Sequence, residues 1–336
     1  MKKGFLAFVL AVAMMLSACG AEKSSSAALP TELTKLTVSE VARSVFYAPQ
    51  YAAVTLGFFE DEGLDVSIVT DNGADKVMTA VVAKQADIGF SGPEACIYVA
   101  KEGKADHPVV FAQLTQRDGA FIVGKEPLDG EFDWQSLKGT HLLGGRAGGV
   151  PLMTLEYVLR EKGLDTENDL FVDSSVQFAL MAGAFTGGQG DYVALFEPTA
   201  SSVEREGKGY VLASVGEESG ELPYTCYYAN KSYLEENGDT VQAFVNAVYK
   251  GQKWVAEHTA EEVAIAIEGF FPDTDFDLLV SSCERHKEIE AFAETPVMKK
   301  ESFDRLQTVI QQAGELDEFV EFESLVDNSF AKKAVG

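Results

Sequence analysis

The stretch Leu64-Asp-Val-Ser-Ile-Val-Thr-Asp-Asn-Gly-Ala-Asp-Lys-Val-Met-Thr-Ala-Val-Val-Ala-Lys-Gln-Ala-Asp-Ile-Gly-Phe90 decides the fold. A short apolar run, Leu64 to Val69, is followed by a helical pattern from Ala74 to Lys84 and then by a buried strand, Ile88 to Phe90. Strand, helix and strand in that order predict a βαβ unit with its strands side by side. Upstream, Leu36 to Val41 reads as a strand and Pro49 to Phe59 as a helix, with Pro49 in its first turn and Gly57 near its end. Downstream come a helix from Pro93 to Lys101 and a strand from Val109 to Leu114.

The series changes character at Thr115-Gln-Arg-Asp-Gly119, and a second one begins. It reads as strands Phe121 to Val123 and His141 to Leu143, helix Val150 to Lys162, strand Leu170 to Val172 and helix Val176 to Ala184. Strand Tyr192 to Leu195, helix Pro198 to Glu206 and strand Tyr210 to Ala213 complete it. Beyond Gly216 to Pro223, a strand-like run from Tyr224 to Ala229 leads into helices reaching about Gln312, which are expected to return and cover the first domain. The expectation is two doubly wound α/β domains with mainly parallel sheets, residues 35–116 with 225–330 and residues 117–224. Crossovers near Thr115 and Tyr224 would make a hinged cleft. Ligands in such sheets sit outside the carboxyl ends of strands, where helix N-termini point at them.

Composition narrows the function. The 336 residues are 46% hydrophobic and 24% charged, enough for a full core. Acidic residues outnumber basic ones 53 to 27, a net charge of −26 that repels phosphate backbones and disfavours nucleic acid. Cys19, Cys96, Cys226 and Cys283 show no CxxC spacing, and the four histidines show no i, i+4 pair, so neither a thiolate zinc site nor a disulfide scaffold is indicated.

The amino terminus reads as an address. Lys2 and Lys3 precede twelve apolar residues, Phe5 to Leu16. That run falls short of the ~20 needed to span a bilayer and fits a secretory signal over residues 1–18. Leu16-Ser-Ala-Cys-Gly20 resembles a bacterial lipobox, which would make Cys19 the lipidated first residue of the mature chain. An ordinary small-residue cleavage site with a chance cysteine is the plainer alternative. Residues 19–34 read as lipidated cysteine and flexible tether. Removing the signal leaves 25 basic against 53 acidic residues, a charge of −28.

Several strand-to-helix junctions suit ligand contact. Ser44-Val-Phe-Tyr-Ala-Pro-Gln50 offers Phe46 and Tyr47 for stacking and Gln50 for hydrogen bonding, although either ring alone would also close a local core. In Ser91-Gly-Pro-Glu94, Gly92 allows close backbone approach and the helix start at Pro93 leaves amides free to donate, while Ser91 could also be a plain cap. Gly144-Gly-Arg-Ala-Gly-Gly-Val-Pro151, with Arg146, Gly148 and Gly149, can cradle an anion or pack backbone against a ligand, but it has neither P-loop nor dinucleotide spacing. Phe196-Glu197-Pro198 ends a buried strand with an aromatic and a carboxylate facing the cleft. Glu197 also fits a purely structural role at the helix dipole, worth ~0.3–1 kcal/mol. Tyr224, Thr225 and Arg117 lie at the crossovers, and for Arg117 a structural ion pair is expected. Ser91 is not in a GxSxG elbow, and no histidine has the company of a catalytic base.

Together, Tyr47-Ala-Pro-Gln-Tyr-Ala-Ala-Val-Thr-Leu-Gly-Phe-Phe-Glu-Asp-Glu-Gly-Leu-Asp-Val66, Gly73-Ala-Asp-Lys-Val-Met-Thr-Ala80, Gln85-Ala-Asp-Ile-Gly89 and Phe196-Glu-Pro198 resemble the substrate-binding lipoproteins of ABC importers in the nitrate, sulfonate, taurine and thiamine-pyrimidine-precursor group. The resemblance runs from about Leu36 to Leu325. It implies a type II periplasmic-binding-protein fold, no cofactor, a small-molecule ligand, a monomer, and docking on a membrane permease with its ATPase. Sulfonate and nitrate receptors hold an anion, for which Ser91, Arg146 and the glycine loop are available. Glu197, together with Glu94, would repel such an anion. Pyrimidine receptors stack a flat ring and pair its nitrogens with a carboxylate, and Phe46, Tyr47, Phe196 and Tyr224 with Glu197 fit that chemistry better. One departure is that pyrimidine receptors tend to carry Asn and His where this chain has Tyr47-Ala-Pro-Gln50. The related fungal pyrimidine synthases supply an enzyme alternative, against which stand the missing cysteine cluster and the export signal. A structural surface lipoprotein would need no hinged cleft.

Overall fold

The computed structural model describes Glu32–Gly336, so the signal, Cys19 and most of the tether lie outside the described residues. The first series runs β1 (Thr34–Glu40), α1 (Ala48–Thr55), α2 (Phe58–Asp61), β2 (Leu64–Thr70), α3 (Ala74–Val82), β3 (Ile88–Ser91), α4 (Glu94–Lys101) and β4 (Pro108–Thr115). The single helix expected over Pro49 to Phe59 is two, because Gly57 takes a left-handed φ of 74° that no continuous helix accommodates. The second series is β5 (Ala120–Gly124), β6 (His141–Leu143), α5 (Val150–Glu161), β7 (Phe171–Asp173), α6 (Met181–Thr186), β8 (Tyr192–Phe196), α7 (Thr199–Arg205), β9 (Tyr210–Ser214) and α8 (Val215–Ser219). Here the helix expected from Val176 starts late. Asp173 Oδ1 accepts from both the amide and the hydroxyl of Ser175, at 2.8 and 2.6 Å, which holds the backbone in a turn after β7.

The strand β10 (Thr225–Asn230) leads into α9 (Lys231–Glu236), α10 (Gly238–Glu257), α11 (Ala260–Ile267), α12 (Phe276–Glu288), α13 (Lys300–Gln312), α14 (Phe322–Leu325) and α15 (Ser329–Val335). One sheet has the order β2-β1-β3-β10-β4 and the other β7-β6-β8-β5-β9. In each, four strands point one way and one is reversed. β10 runs antiparallel between β3 and β4, and β5 antiparallel between β8 and β9, whereas β1 and β6 pair with their neighbours in parallel. The expectation of mainly parallel sheets thus holds for strand direction, while antiparallel ladders are as numerous as parallel ones. Each reversed strand directly follows a crossover, so it enters a sheet already running the other way.

The core lies around β3, β4 and β10, whose side chains are buried throughout. The helix α10 packs on α1, α2, β2 and β4, and α14 and α15 lie on β4. Close approach of α10 to α1 requires Gly251, where a Cβ would lie 2.3 Å from the Pro49 carbonyl oxygen. Two helices reach elements of both series: α12 packs on α7 and the Val45–Tyr47 turn, and α13 on α5 and α4.

Candidate functional site

The carboxyl ends of the two sheets face each other. After β1, Ser44 caps a short turn by accepting from the Phe46 amide at 3.2 Å, and its hydroxyl donates to the Glu197 carbonyl at 3.1 Å on the opposite sheet. Phe46 is thereby fully buried at the centre of an aromatic box. Its ring lies edge-on to Tyr224 at 5.5 Å and to Phe196 at 5.9 Å, with Tyr47 at 5.7 Å and His286 at 5.3 Å. Phe178, half exposed, extends the box outward from Phe196 at 5.5 Å. The first crossover threads this box at Gly119, where a Cβ would meet the rings of Phe46 and Phe196 at 2.9 and 3.0 Å.

Three carboxylates border this region, and their partners separate their roles. The Glu197 carboxylate is saturated: Oε2 accepts from the Ser201 amide at 2.9 Å, and Oε1 from the Ser201 hydroxyl at 2.7 Å and from Arg285 Nη1 at 2.8 Å. Ser282 adds a longer bond at 3.4 Å. This corrects the expectation that Glu197 presents its carboxylate to the cleft; it closes the first turn of α7 instead. Asp118, at the first crossover, is completely buried. Its Oδ1 accepts from the Ala120 amide at 2.6 Å, and the Tyr224 hydroxyl lies beside the carboxyl, with neither it nor Oδ2 holding another partner. Burial pushes its carboxyl up to about 7, with the Ala120 amide and the Tyr224 hydroxyl pulling the other way. Glu94 is 5% exposed and folds back over Gly92, where a Cβ would lie 2.0 Å from its Oε2. That oxygen also lacks a partner. Burial raises the Glu94 carboxyl to about 7 against the helix-start amides of Glu94 and Ala95 and the positive charge of Arg146.

The remaining expected residues divide. Gln50 is not a cleft residue: its amide donates to Glu40 Oε2 at 3.1 Å and accepts from the Tyr227 hydroxyl at 3.0 Å, inside a buried network. The Ser91 hydroxyl pairs with that of Tyr228 at 2.8 Å. Arg117 makes the expected ion pair, with Glu290 at 2.8 Å, and the Thr225 amide donates to Thr115 Oγ1 at 2.9 Å, so both brace the crossovers. Gly148 has a left-handed φ of 74°, and Gly149 precedes the first turn of α5, turning the loop toward α4. Between them a cavity of about 360 Å³ is lined by Asp75 and Met78 of α3, Glu94 and Tyr98 of α4, Arg146, and Glu315 beyond α13. Arg146 is exposed and stands 3.8 Å from Asp75.

Asp118 was not singled out in the sequence, although an acid directly before a glycine at the crossover is the signal that marks it. Cys96, Cys226 and Cys283 are buried free thiols. Among the described residues no group of His, Cys, Asp or Glu is placed to hold a metal ion, and no helix is long and apolar enough to cross a membrane.

A family model described as NMT1/THI5 like matches residues 45–262, more than half of the chain. The chain belongs to the NMT1/THI5-like family. It is similar to the Bacillus subtilis (strain 168) chain named as binding protein YtlA, 44% identical over 301 residues that cover 90% of each. It is more distantly similar to a 4-amino-5-hydroxymethyl-2-methylpyrimidine phosphate synthase of Aspergillus parasiticus, 25% identical over 227 residues and 64% of each chain. Among solved structures, this NMT1/THI5-like chain superposes on the alkanesulfonate-binding protein SsuA of Xanthomonas axonopodis pv. citri bound to MOPS. The TM-score is 0.69 at 16% identity, covering 89% of this chain and 100% of that one. The fold is that of the periplasmic binding proteins, as the sequence resemblance implied.

Proposed function

We propose that this chain is the extracytoplasmic solute receptor of an ABC importer, lipid-anchored through Cys19. It takes a flat, nitrogen-containing aromatic ligand, such as a pyrimidine precursor of thiamine, between two lobes, residues 35–116 with 225–330 and 117–224, and delivers it as a monomer to a permease with its ATPase. The observation that carries the ligand class is the aromatic box of Phe46, Tyr47, Phe196 and Tyr224 beside two buried carboxylates: Glu94, with an oxygen lacking a protein partner, and Asp118, next to the Tyr224 hydroxyl. Ring amino groups are donors that carboxylate oxygens accept, while the rings supply a stacking wall. An anion 4 Å from one ionised carboxylate would instead meet about 4 kcal/mol of repulsion at an effective dielectric of 20. Arg146, exposed and close to Asp75, is poorly placed to offset that. A sulfonate or nitrate receptor of the same fold is the second reading, supported by the glycine loop at the start of α5.

The test is thermal unfolding of residues 32–336 with aminopyrimidines, taurine, alkanesulfonates and nitrate. An aminopyrimidine is expected to add about 2.7 kcal/mol at a hundredfold excess over its Kd. Stabilisation by a sulfonate or nitrate alone overturns the aromatic reading. Turnover of a panel member would favour an enzyme like the fungal synthase. Radiolabelled palmitate should appear in the parent and vanish in Cys19→Ser; equal labelling refutes the anchor.

A further inference from the structure

We propose that the cavity between α3, α4 and the Arg146–Gly148 loop is a subsite for a positively charged group of the ligand, with Glu94 as its acceptor. This rests on the receptor reading above and narrows its ligand class to aromatic compounds carrying a cationic substituent such as a protonated amine. Three carboxylates line the cavity, from three separate elements: Asp75 on α3, Glu94 on α4 and Glu315 beyond α13. One cation, Arg146, faces them, and it leans toward Asp75 rather than Glu94. The acidic wall alone would describe a solvated rim. Glu94 is what turns it into a site, because it lines the cavity, is 95% buried, and has one oxygen, Oε2, without a hydrogen-bond partner.

A buried carboxylate left half-satisfied is unfavourable unless a donor or a cation reaches it. The charged groups facing Glu94 are Arg146, Asp75 and Glu315, with the Tyr98 hydroxyl beside it on α4. Tyr98 reports that arrangement: after burial, Glu94 and Glu315 raise its hydroxyl and Arg146 lowers it. An incoming ammonium would therefore meet a net negative cavity and one preformed acceptor. The volume of about 360 Å³ suits a small ligand. Met78 and Tyr98 supply apolar wall for the carbon that carries the charge.

The test compares 4-(aminomethyl)pyrimidine with 4-(hydroxymethyl)pyrimidine, which differ in an ammonium against a hydroxyl, and adds cyclohexylmethylamine as a cation without an aromatic ring. Calorimetry at pH 7.5 is expected to give at least about tenfold tighter binding of the aminomethyl compound, as for a buried charge-assisted bond. Glu94→Gln should collapse that ratio toward one. The exposed Arg146→Gln, whose folding is not at stake, should widen it. Equal or tighter binding of the hydroxymethyl compound, or a ratio unchanged in either variant, overturns the proposal. If cyclohexylmethylamine binds in a Glu94-dependent way and neither pyrimidine does, the cation subsite stands and the aromatic reading fails. Failure of both amines to bind overturns the cation subsite.

Discussion

Arg285 Nη1 lies 2.8 Å from Glu197 Oε1, and the same guanidinium pairs with Glu204, so one residue of α12 grips α7 at both ends. The Glu197 side chain is completely buried and that of Arg285 is only partly so. The pair is thus a clamp between a C-terminal helix and the second series of elements.

Breaking the clamp should lower stability without touching ligand choice. Arg285→Ala strands a buried carboxylate on two serines and is expected to lose ~3 kcal/mol, the lower end for an unpaired buried charge. Denaturant unfolding measures this. Glu197→Gln should likewise lower the midpoint while leaving the Kd for an aminopyrimidine unchanged. Lost binding with an unchanged midpoint would restore Glu197 to the cleft.

Asp118→Asn keeps the shape of a carboxyl raised to about 7 and removes its charge. The folded state holds this proton more tightly than the unfolded state, whose carboxyl lies near 3.9, so the parent loses stability as pH rises from about 4 to 7. Asp118→Asn should therefore look better relative to the parent at pH 8 than at pH 5. A difference that is flat with pH contradicts a raised Asp118.

His286 makes the opposite test. Its ring is fully buried among Phe46, Phe121 and Phe292, neither nitrogen makes a hydrogen bond of good geometry, and burial lowers it to about 4 against the Glu197 charge and the Ser282 backbone. The parent should lose stability as pH falls from about 6.5 to 4, and His286→Phe should escape that loss. At neutral pH the Phe variant should gain ~1 kcal/mol by removing an unsatisfied polar group. Weakened folding at every pH would mean that the nitrogens are satisfied in solution.

Gly251→Ala tests the seat of α10. Its Cβ would press on the Pro49 carbonyl at 2.3 Å and on Ala53 at 3.1 Å. The expected loss is ~1–3 kcal/mol, read by thermal unfolding. No loss would mean that the two helices separate easily.

The order of elements was legible because apolar runs and helix signals are local, and β2, α3 and β3 lie where the opening stretch puts them. What could not be read depends on partners far along the chain. Glu197 meets Arg285 88 residues later, and Gln50 meets Tyr227 177 residues later. Without those partners each side chain resembles a ligand contact. Asp118 was hidden for the converse reason: it stands in a segment notable for its turn, and the complete burial that sets it apart from most acids of a very acidic chain belongs to the fold. Glu94 was visible as a candidate contact at a helix start, but the orphaned Oε2 and the approach of Arg146 and Glu315 belong to the folded chain alone.

The position of β10 has a kinetic consequence. It fills the gap between β3 and β4, pairing Thr225 with Thr115 across 110 residues, and those two strands have no other ladder to each other. Until residue 230 is available, β3 and β4 each present an open edge, and the intervening second series must form while they wait. Native pairing of such long range is slow, and open edges invite association between chains. A chain cut at residue 224 would keep every element of the second series and still leave the first sheet split down its middle.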